Sequence, residues 1–245
     1  MAIKKASVIT VTSVKGGTGK TTTLLNLAGV LARRKKKTLI IDLDLYTGAI
    51  AASLNVDIAT DLYRLTNDMS TNKFDNIENY VCNYNEYIDI MPAPKDPRLA
   101  NKISPKYLSL TLKKVSMRYD VVLLDTTHLL TDMNLIAFDN SDYILYLVTN
   151  DMIDLKNMKS MVSIYKDMDN DKFRVILNKS LDRNRSYFTN YDIKTILGTN
   201  IDYEIPNSFY VKNIDKYVVE GKIISLNKYI SVFEKIISDV LKEEQ

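Results

Sequence analysis

The run Lys15-Gly16-Gly17-Thr18-Gly19-Lys20-Thr21-Thr22 constrains this chain more than any other stretch. An apolar, β-branched segment from Ala6 to Val14 precedes it, and a helical pattern from Thr21 to Arg34 follows. Three of the chain's seven glycines fall in this one turn, so the backbone there either approaches a ligand closely or adopts positive φ. A strand, a Gly-rich turn and a helix N-terminus together make an anion cradle. Inward N–H groups and the helix dipole both favour negative charge. At this spacing Lys20 is expected to reach the β/γ-phosphates of a nucleotide, and the Thr21 hydroxyl to hold Mg²⁺. Gly16, Gly17, Thr18, Gly19 and Thr22 complete the cradle.

The rest of the chain alternates strands and helices. Strands are predicted over Ala6–Ser13, Thr38–Leu43, Tyr87–Met91, Asp120–Asp125, Asp142–Thr149, Phe173–Asn178 and Ile201–Ile205. Helices are predicted over Lys20–Arg34, Leu108–Arg118, Leu155–Met168 and Tyr229–Leu241. Short β-branched runs separated by helices imply an α/β fold, its mostly parallel sheet covered by helices on both faces. At 245 residues the chain has the size of one such domain, taken as residues 1–245. Ligands in these sheets bind beyond the carboxyl ends of the strands. The glycine turn, Asp42, Asp44, Asp125 and Asn178 all lie at those ends.

Asp42 and Asp44 close the segment Ile40-Ile41-Asp42-Leu43-Asp44. Alternate residues of an extended strand point the same way, so both carboxylates are expected to face the phosphate side. Asp125 ends the apolar run Val121 to Leu124 and is placed to support a magnesium shell.

The usual phosphate-loop pattern has a Gly five residues before Gly19. Here Val14 stands there, and a second lysine, Lys15, directly precedes the glycines. This turn resembles the deviant Walker A motif of the ParA/MinD superfamily of P-loop ATPases. The resemblance implies a homodimer with ATP sandwiched between subunits, Lys15 reaching the partner's nucleotide. It implies that Asp44 orients the attacking water, that Asp42 lies near Mg²⁺, and that Asp125 is the Walker B aspartate. It also implies that Asn178 hydrogen-bonds adenine, that the Pro206-Asn207 loop covers it, and that His128 belongs to a switch region.

Several stretches are similar to the TadZ/CpaE branch, the ATPases of Flp/Tad pilus assembly: Asp42-Leu43-Asp44-Leu45-Tyr46-Thr47-Gly48, Met91-Pro92-Ala93-Pro94, and Tyr119 to Asp125. That branch implies slow, partner-stimulated ATP hydrolysis that positions a pilus or secretion complex through a protein partner. Two relatives within the superfamily imply other roles. A DNA-partitioning ParA would bind DNA non-specifically through Lys179, Arg183 and Arg185, and a MinD-like protein would sit on a membrane.

Composition trims these options. A formal net charge of +3 is too small to argue for nucleic acid by itself. A single cysteine, Cys82, excludes an internal disulfide and is expected to be a half-buried apolar residue. No apolar run approaches membrane-span length, so the chain reads as cytoplasmic, or peripheral to a membrane site. The last helix groups Phe233, Ile236, Ile237, Val240 and Leu241 on one face, but its polar face carries Glu234, Asp239, Glu243 and Glu244. A membrane-surface helix is basic there, so this one is expected to dock on the domain. The basic run Arg33 to Lys37 is expected to end helix one as a solvated turn. The polar, Asn-rich stretch from Asp57 to Glu86 reads as an adaptor surface.

Overall fold

A computed structural model describes residues 5–167, 171–182, 188–209 and 230–242. Eight strands form one sheet: β1 (Ser7–Ser13), β2 (Thr38–Asp42), β3 (Cys82–Asn83), β4 (Ile88–Met91), β5 (Val121–Asp125), β6 (Tyr143–Val148), β7 (Phe173–Asn178) and β8 (Tyr203–Ile205). Their order across the sheet is β3-β4-β2-β5-β1-β6-β7-β8, and every neighbouring pair is parallel except β3 with β4. The helices are α1 (Lys20–Arg33), α2 (Ile50–Leu54), α3 (Leu62–Ser70), α4 (Lys106–Val115), α5 (Asp132–Asp139), α6 (Met152–Asp167), α7 (Asn190–Leu197) and α8 (Ile230–Leu241).

Central strands read as near-continuous apolar runs because both of their faces are covered. Alternation along β1 sends Ile9 and Val11 to one face, against Leu24, Leu27 and Leu31 of α1 and Phe233, Ile236 and Ile237 of α8. Val8 goes to the other face, with Leu62 and Leu65 of α3, Leu108 and Leu112 of α4, and Met133 of α5. On β6 and β7, Ile144, Tyr146, Val175 and Leu177 pack against Leu155 and Met158 of α6 and Ile193 of α7. The anticipated α/β architecture is the one observed.

Three expectations are refined. Asp57 to Glu86, where no strand or helix was predicted, builds α3, a 3₁₀ turn over Ile77–Tyr80, and the antiparallel edge strand β3. The period was hidden because this segment buries only a few anchors, Leu62, Leu65, Ile77 and Tyr80. Helix α4 begins at Lys106, just after Pro105. Cys82 is fully buried rather than half-buried, its Sγ 3.6 Å from the Thr60 carbonyl.

The basic run after α1 does close the helix, with Lys35 at φ 54°. Arg34 serves a second purpose there, donating to Glu234 at 2.6 Å and to Ser238 at 2.7 Å, which ties α1 to α8. Helix α8 docks on the core as its apolar face implies, with Phe233 edge-on to Phe209 at 5.3 Å. Among the described residues no helix is long and apolar enough to cross a membrane. Met168, Arg183, Arg185, Tyr229, Glu243 and Glu244, named above, lie outside the described residues.

Candidate functional site

The turn between β1 and α1 has the backbone that its glycines were expected to supply. Gly17 lies at φ 74° and Gly19 at φ 92°. Gly19 caps α1 without any side-chain hydrogen bond, and Thr23 N–H makes the first helical bond back to its carbonyl at 2.9 Å. The first-turn N–H groups of α1 therefore carry no protein cap, the state in which a helix N-terminus receives an anion. Lys20 folds back over the turn and donates to Ser13 Oγ at 3.2 Å, while Ser13 Oγ donates to the Lys15 carbonyl at 2.6 Å. Burial lowers the Lys20 pKa, and Asp125, Asp44 and Asp154 oppose that shift by holding the ammonium charged.

The carboxylates gather under the turn. Asp42 and Asp125 are direct neighbours across β2 and β5, and both are buried. Asp125 Oδ2 accepts from Thr21 Oγ1 at 2.7 Å, and its Oδ1 is buried with no hydrogen-bond partner. Burial pushes the Asp125 carboxyl up to about 7, and Asp44 adds to that, while Thr21 and Lys20 pull against it. An orphaned buried carboxylate oxygen beside a hydroxyl is a hard-oxygen donor set, which fits Mg²⁺. Among the described residues no group of three or more His, Cys, Asp or Glu is placed to hold a metal. A cation held here would rely on one or two protein oxygens, with phosphate or water supplying the rest, the pattern Mg²⁺ favours.

Asp42 has a different environment from the one its strand position implied. Its Oδ1 accepts from Asp44 N–H and its Oδ2 from Ile50 N–H, each at 3.1 Å. It anchors the turn between β2 and α2, and burial, followed by the Asp125 charge, raises its pKa well above the carboxylate range. Gly48 crosses that turn because a Cβ there would stand 2.5 Å from Ala93 Cβ and 3.2 Å from Asp42 Oδ2. Asp44 lies past the strand end, half-buried, with its Oδ2 accepting from Thr47 Oγ1 at 2.7 Å.

Lys15 is on the outer side of the turn. Its Nζ stands 3.1 Å from Asp151 Oδ1, a pair that is 45% and 43% exposed. The turn after β6 that carries Asp151 is fastened by Asp154, whose Oδ2 accepts from both Thr149 N–H and Thr149 Oγ1 at 2.7 Å. His128 is exposed beyond β5, its ring 3.6 Å from where a Gly16 Cβ would stand. It therefore lies against the glycine turn.

Asn178 ends β7 at the expected height, but its carboxamide faces the protein. Nδ2 donates to the Thr18 carbonyl at 2.8 Å, and Oδ1 accepts from Ser180 N–H at 3.0 Å and Ser180 Oγ at 2.6 Å. Pro206 and Asn207 follow β8, half-buried and exposed respectively. Lys179 pairs with Glu204 at 2.5 Å, which weakens its candidacy as a surface cation for nucleic acid. Ser13, Asp151, Asp154 and Ser180 escaped the sequence reading. Asp151 carried the signal that had served for Asp42 and Asp125, a carboxylate just after an apolar strand, whereas Asp154 lies in the first turn of α6. Ser13 and Ser180 carried none.

A parallel sheet, an uncapped glycine turn and carboxylates at the adjoining strand ends define a P-loop nucleotide hydrolase. Comparison with known proteins narrows the class. The family model described as "AAA domain" matches residues 6–182. A "Virulence plasmid ParA family protein" of Chlamydia psittaci is 31% identical over 197 residues, covering 74% of this chain and 72% of that protein. Among solved structures, a ParA family ATPase from Chlorobium tepidum superposes with a TM-score of 0.81 at 20% identity, covering 98% of this chain and 100% of that one. The septum site-determining protein MinD of Pyrococcus horikoshii, complexed with Mg-ADP, gives 0.78 at 21% identity, with 96% of each chain covered. This chain belongs to the ParA/MinD superfamily of P-loop ATPases.

Proposed function

We propose that the chain is an ATP-driven dimerisation switch that hydrolyses ATP slowly and positions a cellular assembly. The observation that carries this reading is the placement of two lysines on one glycine turn with opposite environments. Lys20 is folded inward on Ser13, whereas Lys15 is on the outside in a solvent-accessible ion pair. One lysine is thus available to its own nucleotide and the other to a second subunit's.

In this reading the first-turn N–H groups of α1 and Lys20 bind the phosphates, and Thr21 and Asp125 hold Mg²⁺. The Mg-ADP complex of the MinD relative supports that pairing of ligands. When bound there, Mg²⁺ would supply neutralisation of the charge that develops on the transferred phosphate. Asp44, half-buried just past the end of β2, would orient the attacking water. Asp42 holds the β2–α2 turn in register beneath it. Pro206 and Asn207 border the base. Two copies of the chain enclose the nucleotides, each contributing Lys15, and hydrolysis releases them.

Light scattering on an Asp44→Ala variant, with and without Mg-ATP, tests the switch. The expected result is an ATP-dependent shift from monomer to dimer mass, lost when Lys15 is also replaced by Ala. A protein that binds ATP and keeps one mass would overturn it.

For the cargo, the Asp42–Gly48 and Met91–Pro94 stretches support a Flp/Tad-type pilus or secretion complex, recruited through a protein partner. The plasmid ParA relative at 31% identity favours a second reading, DNA segregation. Salt-dependent binding of the Mg-ATP dimer to non-specific duplex separates them, since phosphate contacts weaken steeply with salt. Binding of that kind favours segregation, and its absence favours the pilus reading.

A further inference from the structure

Asn178 reaches the glycine turn from β7, 160 residues away in sequence, and its Nδ2–H donates to the Thr18 carbonyl at 2.8 Å. The side chain is 3% exposed. The contact is close enough to dictate its neighbour: a Cβ on Gly19 would lie 2.8 Å from Asn178 Nδ2. Gly19 is therefore required twice, by its positive φ and by the amide pressed against it. The amide has a fixed orientation because Ser180 gives its oxygen two hydrogen bonds, from N–H and from Oγ. Turned over, it would present an oxygen to the Thr18 carbonyl and an NH₂ to two donors.

We infer that Asn178 is a positioning residue for the phosphate-binding turn, held in its working orientation by Ser180. It ties down the carbonyl of Thr18, immediately before the left-handed Gly19. The N–H groups of the following residues are thereby directed toward an anion rather than left to wander with the turn. The consequence is chemical as well as structural. Asn178 contributes to affinity through the phosphates, so its loss is felt by a phosphate ligand that carries no base. This inference rests on the nucleotide-binding reading above and adds to it how the turn is kept in shape.

The test measures binding of Mg-ATP, Mg-GTP and Mg-tripolyphosphate by calorimetry to the wild type, Asn178→Asp, Ser180→Ala and Ser180→Thr. Asn178→Asp retains an acceptor for Ser180 and loses the donor to Thr18. It is expected to weaken all three ligands by a common factor of about tenfold or more, since a buried acceptor is left unpaired. The unfolding midpoint of the free protein falls as well, because the carboxylate oxygen is buried against the Thr18 carbonyl, so binding is compared at a temperature where every variant is folded. Ser180→Ala weakens all three in the same way and by less, and Ser180→Thr restores binding through its hydroxyl. Should Asn178→Asp fail to fold, the Ser180 pair carries the test.

A collapse of the ATP-to-GTP preference with tripolyphosphate binding unchanged would overturn the inference and make Asn178 a base contact. Unchanged affinity for all three ligands in both Asn178→Asp and Ser180→Ala would overturn it as well. A wild type that binds none of the three ligands removes the nucleotide reading itself. That failure is visible before any variant is made.

Discussion

Lys15 Nζ stands 3.1 Å from Asp151 Oδ1 within a single chain. The lysine that the proposed dimer would send across the interface is thus paired at home. Asp151 is itself held below the usual carboxylate range, first by the Asp154 N–H and then by Lys15. Dimer formation in that scheme exchanges one ion pair in each subunit for contact with the partner's phosphates.

Because the pair is nearly half exposed, it is worth no more than about 1 kcal/mol, or roughly fivefold in an equilibrium. Asp151→Asn keeps an acceptor for Asp154 N–H and releases Lys15. Two such pairs are exchanged per dimer, so the expected outcome is Mg-ATP-dependent dimerisation at a concentration lower by up to about that factor squared, roughly 25-fold. Sedimentation across a dilution series measures it, and weaker dimerisation would show that Asp151 supports the interface instead.

Gly48→Val tests the turn under the site. Its new atoms would meet Ala93 Cβ, which cannot retreat without moving backbone, and Asp42 Oδ2, which can turn away only by giving up its bond from Ile50 N–H. A loss of about 1–3 kcal/mol follows from such overpacking, read as a lower thermal midpoint. An unchanged midpoint would mean that the turn relaxes freely and does not fix Asp42.

Asp154 gives a pH dependence. The side chain is fully buried and its Oδ1 has no hydrogen-bond partner. Burial raises its pKa, Asp151 adds to this, and the Thr149 hydrogen bonds and Lys15 oppose it. The folded state therefore holds this proton more tightly than the unfolded chain. Below the ordinary carboxylate value, about 4, both states are protonated and ionisation costs nothing. From there up to the raised folded value only the unfolded chain has lost its proton, so the cost develops across that window and is complete above it. Asp154→Asn removes it while leaving an acceptor for Thr149. The urea midpoint of the wild type should fall relative to the variant as pH is raised toward neutrality, and parallel curves would contradict the assignment.

Docking of α8 makes a prediction of its own. Phe233 is 1% exposed and packs on Phe209, with Ile236 and Ile237 fully buried beside it. Phe233→Ala is expected to cost about 3–5 kcal/mol in denaturant unfolding. A cost under about 1 kcal/mol would mean that the helix is not part of the core.

The sequence by itself determined the sheet and the phosphate-binding turn. Both are local: a strand is legible in Val121 to Leu124 because both faces of it are buried, and the turn in Gly17 and Gly19 because only glycine takes their φ without strain. It also located the aspartates, since a carboxylate after an apolar strand must emerge at the ligand edge of a parallel sheet.

What those groups face was decided by tertiary structure alone. Asp42 and Asp125 are matched residues on neighbouring strands, yet the first is taken up by two backbone N–H groups and the second keeps an orphaned oxygen. Asn178 meets Thr18 across 160 positions of chain, and Lys15 meets Asp151 across a turn that no spacing announces. The edge strand β3 forms because β4 offers it an open row of hydrogen-bonding groups, not because Cys82-Asn83 has a strand pattern. Local backbone preference is written residue by residue, whereas a hydrogen bond between distant side chains exists only once the sheet has set their separation.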